Sequence, residues 1–301
     1  MTMERRLELD ISDALEGKTL KTVLTREMNL SGGLLDDLKK HADGILLDGG
    51  RARLSDTVSA GSRLSLCFRD EGECSVVPAA GEISIVYEDE DILAVSKPPR
   101  LPCHPVSGNH TETLANFLVY HYARRGQSLV PRIITRLDSG TSGLVLVAKN
   151  ALSGSLLGSA AAAGGLKKEY LAVTEGVPQR ERGEINAPIR RVSGNALKRE
   201  VCPDGEGQAA VTHFEVLAQN GALALLRVTP QTGRTHQIRV HLASIGCPLA
   251  GDFLYGREDE TLISRTALHM QALSLIHPVT GQSLHLFAPA PPDMQDLISK
   301  L

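Results

Sequence analysis

Apolar runs alternate with polar turns along most of the chain, and their periods distinguish strands from helices. Residues 63–68 (RLSLCF) alternate between polar and apolar, as a strand with one buried face does. Residues 143–148 (GLVLVA) are almost wholly apolar, which is typical of a strand buried on both faces. Residues 235–245 instead place Ile238, Leu242 and Ile245 at helical spacing. The pattern therefore predicts both kinds of element.

The predicted elements fall into two groups, separated by small residues and a proline at 78–81 (PAAG). The first group comprises helices at 19–25 and 34–40, a short strand and turn at 44–50 and a strand at 63–68. The second comprises strands at 83–87, 92–96, 143–148, 170–173, 211–218, 223–228 and 268–276, and helices at 111–125, 151–163 and 235–245. Many strands with irregularly inserted helices favour an α+β fold over a doubly wound parallel sheet. The first group is too small for a large core and indicates an appended α/β module over residues 1–75.

Composition narrows the class of protein. The 301 residues are 42% hydrophobic and 22% charged, which excludes a disordered, collagen-like or coiled-coil chain. The net charge of −3 indicates no general attraction to nucleic acid. The first 75 residues carry 11 cations and 14 anions and the rest 21 of each, so the acidity belongs to the front module. Without Trp, and with five Phe and five Tyr, few rings are available for stacking a ligand.

The start of the chain and the cysteines favour a cytoplasmic location. Residues 1–10 (MTMERRLELD) lack the apolar segment of a secretory signal, and no apolar run approaches the ~18 residues of a membrane helix. The five cysteines are odd in number and form no C-x-x-C pair. A disulfide framework and a thiolate metal site are therefore disfavoured, and no membrane partner is expected.

Residues 135–143 (TRLDSGTSG) form a polar segment between two strand-like runs. Ser139 and Gly140 favour a turn, which would expose Asp138 at the mouth of a sheet, a common place for catalytic groups. Arg136 is long and cationic enough to reach a phosphate. Spacing alone leaves another interpretation open, in which Asp138 caps the backbone amides of Thr141 or Ser142.

A second polar segment, residues 231–242 (QTGRTHQIRVHL), crowds basic residues at a predicted helix start. His236 and Arg239 share a helix face, and a helix N-terminus suits an anionic group. A solvated basic helix is the alternative. His236 and His241 have the wrong spacing for a zinc pair, so we expect no metal.

Two further segments contain reactive residue types. Tyr170, in residues 167–172 (KKEYLA), is either a core tyrosine with its hydroxyl at the rim or a ligand contact. Residues 97–105 (KPPRLPCHP) form a stiff, extended loop. Cys103 and His104 are adjacent in this loop, so their side chains would point to opposite sides. This disfavours a cysteine nucleophile activated by the histidine as its base.

Residues 180–199 contain a cluster of six basic residues and two acidic ones, Glu181 and Glu184. Such a cluster can follow a phosphate backbone despite a negative net charge, although a solvated loop explains it equally well. Its members are Arg180, Arg182, Arg190, Arg191, Lys198 and Arg199.

Taken together, these motifs resemble those of the RluA-type pseudouridine synthases. Residues 135–144 (TRLDSGTSGL) are similar to the family signature, usually written H-R-L-D-x-x-T-S-G. Other matching stretches, in the family's order, are Lys97-Pro98 with His104-Pro105, residues 168–172 (KEYLA), 232–242 (TGRTHQIRVHL) and 251–256 (GDFLYG). The resemblance covers about residues 81–290. It implies a largely antiparallel central sheet with flanking helices, and a catalytic domain over 81–301.

The resemblance also implies an activity and a site. The enzyme would isomerise uridine in RNA. The expected substrate is large-subunit ribosomal RNA, and transfer RNA is the alternative. The protein would be a monomer that needs no cofactor or metal and does not bind DNA. Asp138 would be the catalytic carboxylate and Arg239 its ion-pair partner. Tyr170 would pack on the flipped uracil, and Arg136 would fill the vacated space and contact phosphate. Whether Asp138 attacks C1′, attacks the base or removes a 2′ proton stays open.

Two regions depart from the family pattern. Thr135 stands where most members have His, and because it precedes the Arg-Leu-Asp core, we expect it to tune activity rather than abolish it. Residues 1–75 resemble an S4-type RNA-binding domain, whose helix is usually basic. Here Asp36 and Asp37 share that helix with Lys39 and Lys40, so the module binds RNA, docks on the catalytic domain, or does both.

Two other classes of function compete with the isomerase. One is a non-catalytic RNA-binding or ribosome-assembly factor on the same scaffold, which would not need a carboxylate near phosphates. The other is a hydrolase that uses Cys103 or a pair of carboxylates, for which the sequence offers no nucleophile, base and orienting group in a recognisable arrangement.

Overall fold

The N-terminal part of the chain contains a four-stranded antiparallel sheet with short helices packed on it. The computed structural model describes residues 4–70, 74–106, 108–195 and 197–301. The strands are Glu4–Asp10 (β1), Ile45–Leu47 (β2), Gly50–Arg51 (β3) and Arg63–Arg69 (β4), in the order β1-β4-β2-β3. The helices are Leu20–Thr22 (α1), which continues as a π-helical turn over Val23–Glu27, and Gly32–Lys40 (α2), with a 3-10 turn at Asp13–Leu15. Leu34, Leu35 and Leu38 of α2 are buried, as the pattern predicts.

A ten-stranded sheet forms the larger part of the molecule. Its strands are Ser84–Glu88 (β5), Ile92–Lys97 (β6), Arg132–Ile133 (β7), Ser142–Ala148 (β8), Lys167–Glu175 (β9), Arg182–Asn186 (β10), Val211–Asn220 (β13), Leu223–Pro230 (β14), Leu268–Ile276 (β15) and Ser283–Phe287 (β16). The order is β10-β13-β14-β9-β15-β8-β6-β5, with β16 beside β15 and β7 beside β8. Between β10 and β13, Ile189–Arg191 (β11) and Arg199–Val201 (β12) form a separate hairpin. The mixed, largely antiparallel sheet confirms the predicted α+β class.

Four helices flank this sheet because its central strands are apolar on both faces. All of Ser142–Ala148 is buried, and Ile92–Val95 of β6 is fully buried beside it. The helices are Leu114–Ala123 (α3), Ala151–Ala162 (α4), Gln237–Ser244 (α5) and Pro292–Ile298 (α6). Helix α4 begins at a capping box, in which Asn150 and Ser153 each accept from the other's backbone amide. None of the helices in the described ranges has the length and hydrophobicity needed to span a bilayer.

One parallel pairing places the polar loop 134–141 at the middle of the sheet. Strand β15 pairs with β8 in parallel, with Met270 opposite Gly143. Gly143 has a φ of +115°, and a Cβ there would lie 2.2 Å from the carbonyl oxygen of Met270. Only glycine tolerates both this conformation and this close approach. Met270 also lies opposite Tyr170 of β9, so Gly143 and Tyr170 sit on one row across three strands.

The N-terminal sheet is joined to the main sheet by ion pairs and by shared apolar packing. Arg5 donates two hydrogen bonds to Asp91, at 2.8 and 2.9 Å. Arg132 donates two to Asp70, both at 2.8 Å. Leu152 of α4 is buried in the N-terminal core. Two expectations stay predictions: the division of the chain at residues 75–81 and the S4-like character of the front module. Residues 1–3 and 71–73 of that module lie outside the described ranges.

Candidate active site

Asp138 lies at the tip of the loop between β7 and β8, where the sequence predicts an exposed carboxylate. Arg239 Nη1 donates to its Oδ2 at 3.2 Å, and the Asp138 side chain is 31% exposed. The backbone carbonyl of Asp138, rather than its carboxylate, accepts from the amide of Thr141 at 3.1 Å. The capping interpretation is therefore wrong, and the carboxylate is both ion-paired and open to solvent.

Arg239 is itself held by a second carboxylate that the sequence analysis did not single out. Its Nε and Nη2 each donate to Asp252 at 2.7 Å, in a two-pronged contact that fixes the plane of the guanidinium. The side chain of Asp252 is fully buried and that of Arg239 is 5% exposed. Asp252 belongs to the GDFLYG stretch, so a motif flagged the region, but only the three-dimensional structure brings it to Arg239.

His236 and Tyr255 complete the far side of the site. His236 precedes α5 in the left-handed conformation, at a φ of 58°, which is strained for a non-glycine residue and typical of functional positions. Its Nδ1 lies 2.9 Å from the Tyr255 hydroxyl, and its Nε2 lies 3.8 Å from Asp138 Oδ2. Burial lowers the pKa of His236, although the charge of Asp138 opposes this effect. The imidazole is therefore neutral at pH 7.

The hydrogen bonds of Tyr255 favour one of the two tautomers of His236. The Tyr255 oxygen accepts from the amide of Arg199 at 2.8 Å, which leaves its own proton to donate to His236 Nδ1. A neutral imidazole that accepts at Nδ1 carries its proton on Nε2. In this tautomer the N–H of His236 faces Asp138.

Two buried cations bind the backbone of the Asp138 loop. Lys97 Nζ donates to the carbonyls of Pro98 at 2.8 Å and Ser139 at 3.2 Å. Arg265 Nη1 donates to the carbonyl of Gly140 at 3.3 Å, while its Nε and Nη2 bind Asp293. Burial lowers the pKa of Lys97 to about 8. Neither cation has a role that the sequence predicts, because the carbonyls of Ser139 and Gly140 are distant from Lys97 and Arg265 along the chain.

Tyr170 is 8% exposed and lies near enough to Asp138 for its hydroxyl to be affected by that charge. Burial raises the pKa of its hydroxyl, and the nearby charge of Asp138 raises it further, so the group stays protonated at neutral pH. The hydroxyl has no hydrogen-bond partner among the described residues. Asp138, Arg239 and Tyr170, which the resemblance placed in one site, are thus brought together.

The side chain of Arg136 is not bonded to this cluster. It is exposed, and it makes no hydrogen bond or ion pair with the residues that the structure describes. Burial and then the charge of Arg136 lower the pKa of His104, which locates its guanidinium near the 97–105 loop. Arg136 is available to an external ligand rather than to Asp138.

Thr135 and Cys103 have structural contacts. The hydroxyl of Thr135 accepts from the amide of Leu146 at 2.8 Å, and the residue is 2% exposed. Cys103 is buried with its Sγ 3.5 Å from both the amide and the carbonyl of Leu137, and burial raises its pKa. A buried, protonated thiol is a poor nucleophile, which argues against the cysteine hydrolase. Within the described ranges, no three His, Cys, Asp or Glu residues are placed to hold a metal.

Comparison with known proteins identifies the family. The family model described as RNA pseudouridylate synthase matches residues 91–244, which include both the Asp138 loop and Arg239. The chain belongs to the RNA pseudouridylate synthase family. It is therefore an isomerase that makes pseudouridine in RNA, as the motifs predicted.

Named relatives cover nearly the whole of this pseudouridine synthase. It is 37% identical over 295 residues to the uncharacterized RNA pseudouridine synthase YhcT of Bacillus subtilis, covering 97% of this chain and 96% of the relative. It is 33% identical over 322 residues to ribosomal large subunit pseudouridine synthase D of Haemophilus ducreyi, covering 100% and 96%.

A solved structure resembles the fold of the synthase. Human RNA pseudouridylate synthase domain containing 1 matches with a TM-score of 0.59 and 27% identity, over 72% of this chain and 87% of the human chain. The shared architecture agrees with the ten-stranded sheet described above.

Proposed function

We propose that this enzyme isomerises uridines in large-subunit ribosomal RNA and that Asp138 is its catalytic carboxylate. The observation that carries the proposal is the placement of Asp138, solvent-accessible at a loop tip and ion-paired to the buried Arg239 at 3.2 Å. Several relatives are named as ribosomal large subunit pseudouridine synthases, which supports this RNA as the substrate.

The reaction requires a stable carboxylate close to the sugar. The bond from C1′ to N1 of uracil breaks, the base turns, and a bond forms from C5 to C1′; the hydrogen of C5 leaves to water and N1 gains a proton. The sugar carbon is electron-poor when its bond to N1 is broken, so an ionised carboxylate stabilises it. Arg239 donates a charged hydrogen bond to this carboxylate at 3.2 Å, which balances its charge in a partly buried site.

The positions of Tyr170 and Arg136 support the roles that the family resemblance implies for them. Tyr170 offers an aromatic ring next to Asp138, where a uracil flipped out of the RNA can stack. Arg136 is exposed and without a protein partner in the described ranges, so it is free to occupy the space that the base vacates and to contact phosphate. Both assignments place the uridine between β9 and the Asp138 loop.

The remaining parts of the proposal concern the whole protein. We assign residues 1–75 to an S4-like RNA-binding module and residues 81–301 to the catalytic domain of a cytoplasmic monomer. In the front module, Lys39 and Lys40 are ion-paired with Asp36 and Asp37 at 2.6 Å, which reduces the charge that α2 presents to RNA. The bonds of Arg5 to Asp91 and of Arg132 to Asp70 support docking on the catalytic domain as part of its role.

The test uses the hydrogen that leaves C5. Ribosomal and transfer RNA, labelled with tritium at uracil C5, are purified from cells lacking the enzyme and incubated separately with the full-length protein. Tritium released to water from large-subunit ribosomal RNA supports the proposal. Release from transfer RNA alone would reassign the substrate, and binding of both RNAs without release would favour the non-catalytic RNA-binding factor.

A further inference from the structure

A cavity of about 500 Å³ opens beside the β11–β12 hairpin and the start of α5. Four arginines line it, and we call it the arginine cavity: Arg190, Arg191, Arg199 and Arg234. Three of them belong to the basic cluster that the sequence analysis could not assign to either RNA binding or a solvated loop. Arg234 comes from a different segment, so folding adds a cation that the linear pattern did not place there.

The lining has a strong excess of positive charge. Glu206 is the acidic residue among the lining side chains, and it pairs with Arg190. Glu200 also binds Arg190, at 2.9 Å. Glu200 and Glu206 are therefore both paired with Arg190, and the charges of the other three arginines face the cavity.

Arg191 and Arg234 are the most available of these cations. Both are exposed. Arg234 uses its Nε to bind the carbonyl of Ala209 at 3.1 Å, which orients the guanidinium and leaves its terminal nitrogens to the cavity. The side chain of Arg191 makes no hydrogen bond or ion pair with any residue in the described ranges. Two guanidinium groups in this state match an anion with several oxygens, such as a phosphate.

The arginine cavity is connected to Asp138 through one tyrosine and one histidine. The amide of Arg199 binds the Tyr255 hydroxyl at 2.8 Å, and that hydroxyl bonds His236 Nδ1 at 2.9 Å. The other nitrogen of His236 lies 3.8 Å from Asp138. An RNA strand whose uridine reaches Asp138 therefore has a neighbouring part of its backbone within reach of the cavity.

We propose that the arginine cavity binds a backbone phosphate of the substrate RNA, on a nucleotide next to the target uridine. The inference rests on the proposed function, since it takes RNA with a uridine at Asp138 as the ligand. Phosphate contacts of this kind position a nucleic acid without reading its sequence. The cavity thus fixes the register of the strand, while the Asp138 pocket accepts the base.

The test compares two double variants. One removes two charges from the cavity, and the other removes two charges from the part of the basic cluster that lies outside it. The double variant Arg191→Gln/Arg234→Gln changes exposed residues of the cavity. The matched control Arg180→Gln/Arg182→Gln removes the same charge from residues that do not line it. The dissociation constant for a transcript of large-subunit ribosomal RNA is measured at about 50 and about 200 mM salt. Melting temperatures show that both proteins are folded.

The expected result is specific to the cavity variant. Its affinity falls about tenfold or more, since charged hydrogen bonds to phosphate are lost. The slope of log affinity against log salt becomes shallower by about 1, the change for one lost phosphate contact. In the tritium-release assay, KM rises and kcat is retained. Arg191→Glu alone weakens binding further than Arg191→Gln.

Other outcomes would overturn the inference. Equal losses in the two double variants would mean that the cluster acts only as a diffuse positive field. If the cavity variant bound RNA as the wild type does but no longer bound inorganic phosphate in a parallel titration, the cavity would be assigned to a free anion. Because affinity is measured without turnover, a wild-type protein that releases no tritium refutes the proposed function and leaves the cavity test readable.

Discussion

At the residue scale, Arg239 divides its guanidinium between two carboxylates in different environments. Asp252 is fully buried and takes two hydrogen bonds, whereas Asp138 is partly exposed and takes one. The two-pronged contact holds the guanidinium, and the remaining Nη1 points to Asp138. Asp252 is thus a positioning residue, which leaves the carboxylate of Asp138 free on its solvent side.

The change Asp252→Asn tests this division. It leaves Arg239 buried with a weaker partner, and breaking a buried pair of this kind lowers the free energy of unfolding by about 3–5 kcal/mol. Arg239 then shifts, and misplacement of the reacting groups lowers kcat by up to about 100-fold. Chemical denaturation and tritium release measure the two effects. Asp37→Asn, which disrupts an exposed ion pair with Lys40, is the control and should leave both unchanged.

Lys97 predicts a pH dependence of turnover. Its pKa is lowered to about 8 by burial, so its ammonium group is charged below about pH 8 and neutral above it. The charge fixes the carbonyl of Ser139, next to Asp138, and its loss loosens the loop. We expect kcat to fall as the pH rises through about 8. The Lys97→Met variant should have a low kcat without this alkaline limb; an unchanged limb would show that another group is responsible.

At the element scale, the apolar pattern predicted most of the strands and helices, because buried central strands and amphipathic helices carry their own periodicity. It missed β1, β7, β10, the β11–β12 hairpin, β16 and α6, most of which are short or charged and have weak patterns. It began α5 two residues early, since the left-handed backbone of His236 delays the helix.

The site residues Asp138, Arg239 and Tyr170 came from the family resemblance rather than from the apolar pattern. The parallel β15–β8 pairing and the contact of Asp252 with Arg239 join distant segments, so no local pattern could predict them.

The parallel pairing predicts an effect of Gly143. A methyl group there would lie 2.2 Å from the Met270 carbonyl oxygen at a φ of +115°. Gly143→Ala must separate β8 from β15, so we expect the free energy of unfolding to fall by about 1–3 kcal/mol or more and activity to be lost as the Asp138 loop moves. Gly158→Ala is the control, because nothing lies within 4 Å of its Cβ. This change in a helix should stabilise by about 0.5–1 kcal/mol. Equal effects in the two variants would contradict the packing account.

At the scale of the whole molecule, two arginines hold the front module against the catalytic sheet. Arg5 binds Asp91, whose side chain is 3% exposed, and Arg132 binds Asp70, whose side chain is 7% exposed. Both contacts are two-pronged, which makes them geometrically specific. Together with Leu152, they couple the two sheets mechanically.

The double variant Arg5→Met/Arg132→Met tests this coupling. Without these contacts the front module should unfold at a lower temperature than the catalytic sheet, so that one melting transition becomes two. Arg6→Met/Arg51→Met, which alters contacts inside the front module, is the control and should retain a single transition. A single, unshifted transition in the first variant would mean that apolar packing alone joins the sheets.

The most direct test of the account is the turnover of Asp138→Asn beside that of the wild type. The substitution removes the negative charge and keeps the size of the side chain, and Asp138 makes no contact that anchors the RNA backbone in the proposed arrangement. We predict that tritium release from C5-labelled large-subunit ribosomal RNA is abolished while the dissociation constant for that RNA stays near that of the wild type. A variant that kept more than about a tenth of the wild-type rate would contradict the assignment of Asp138 as the catalytic carboxylate.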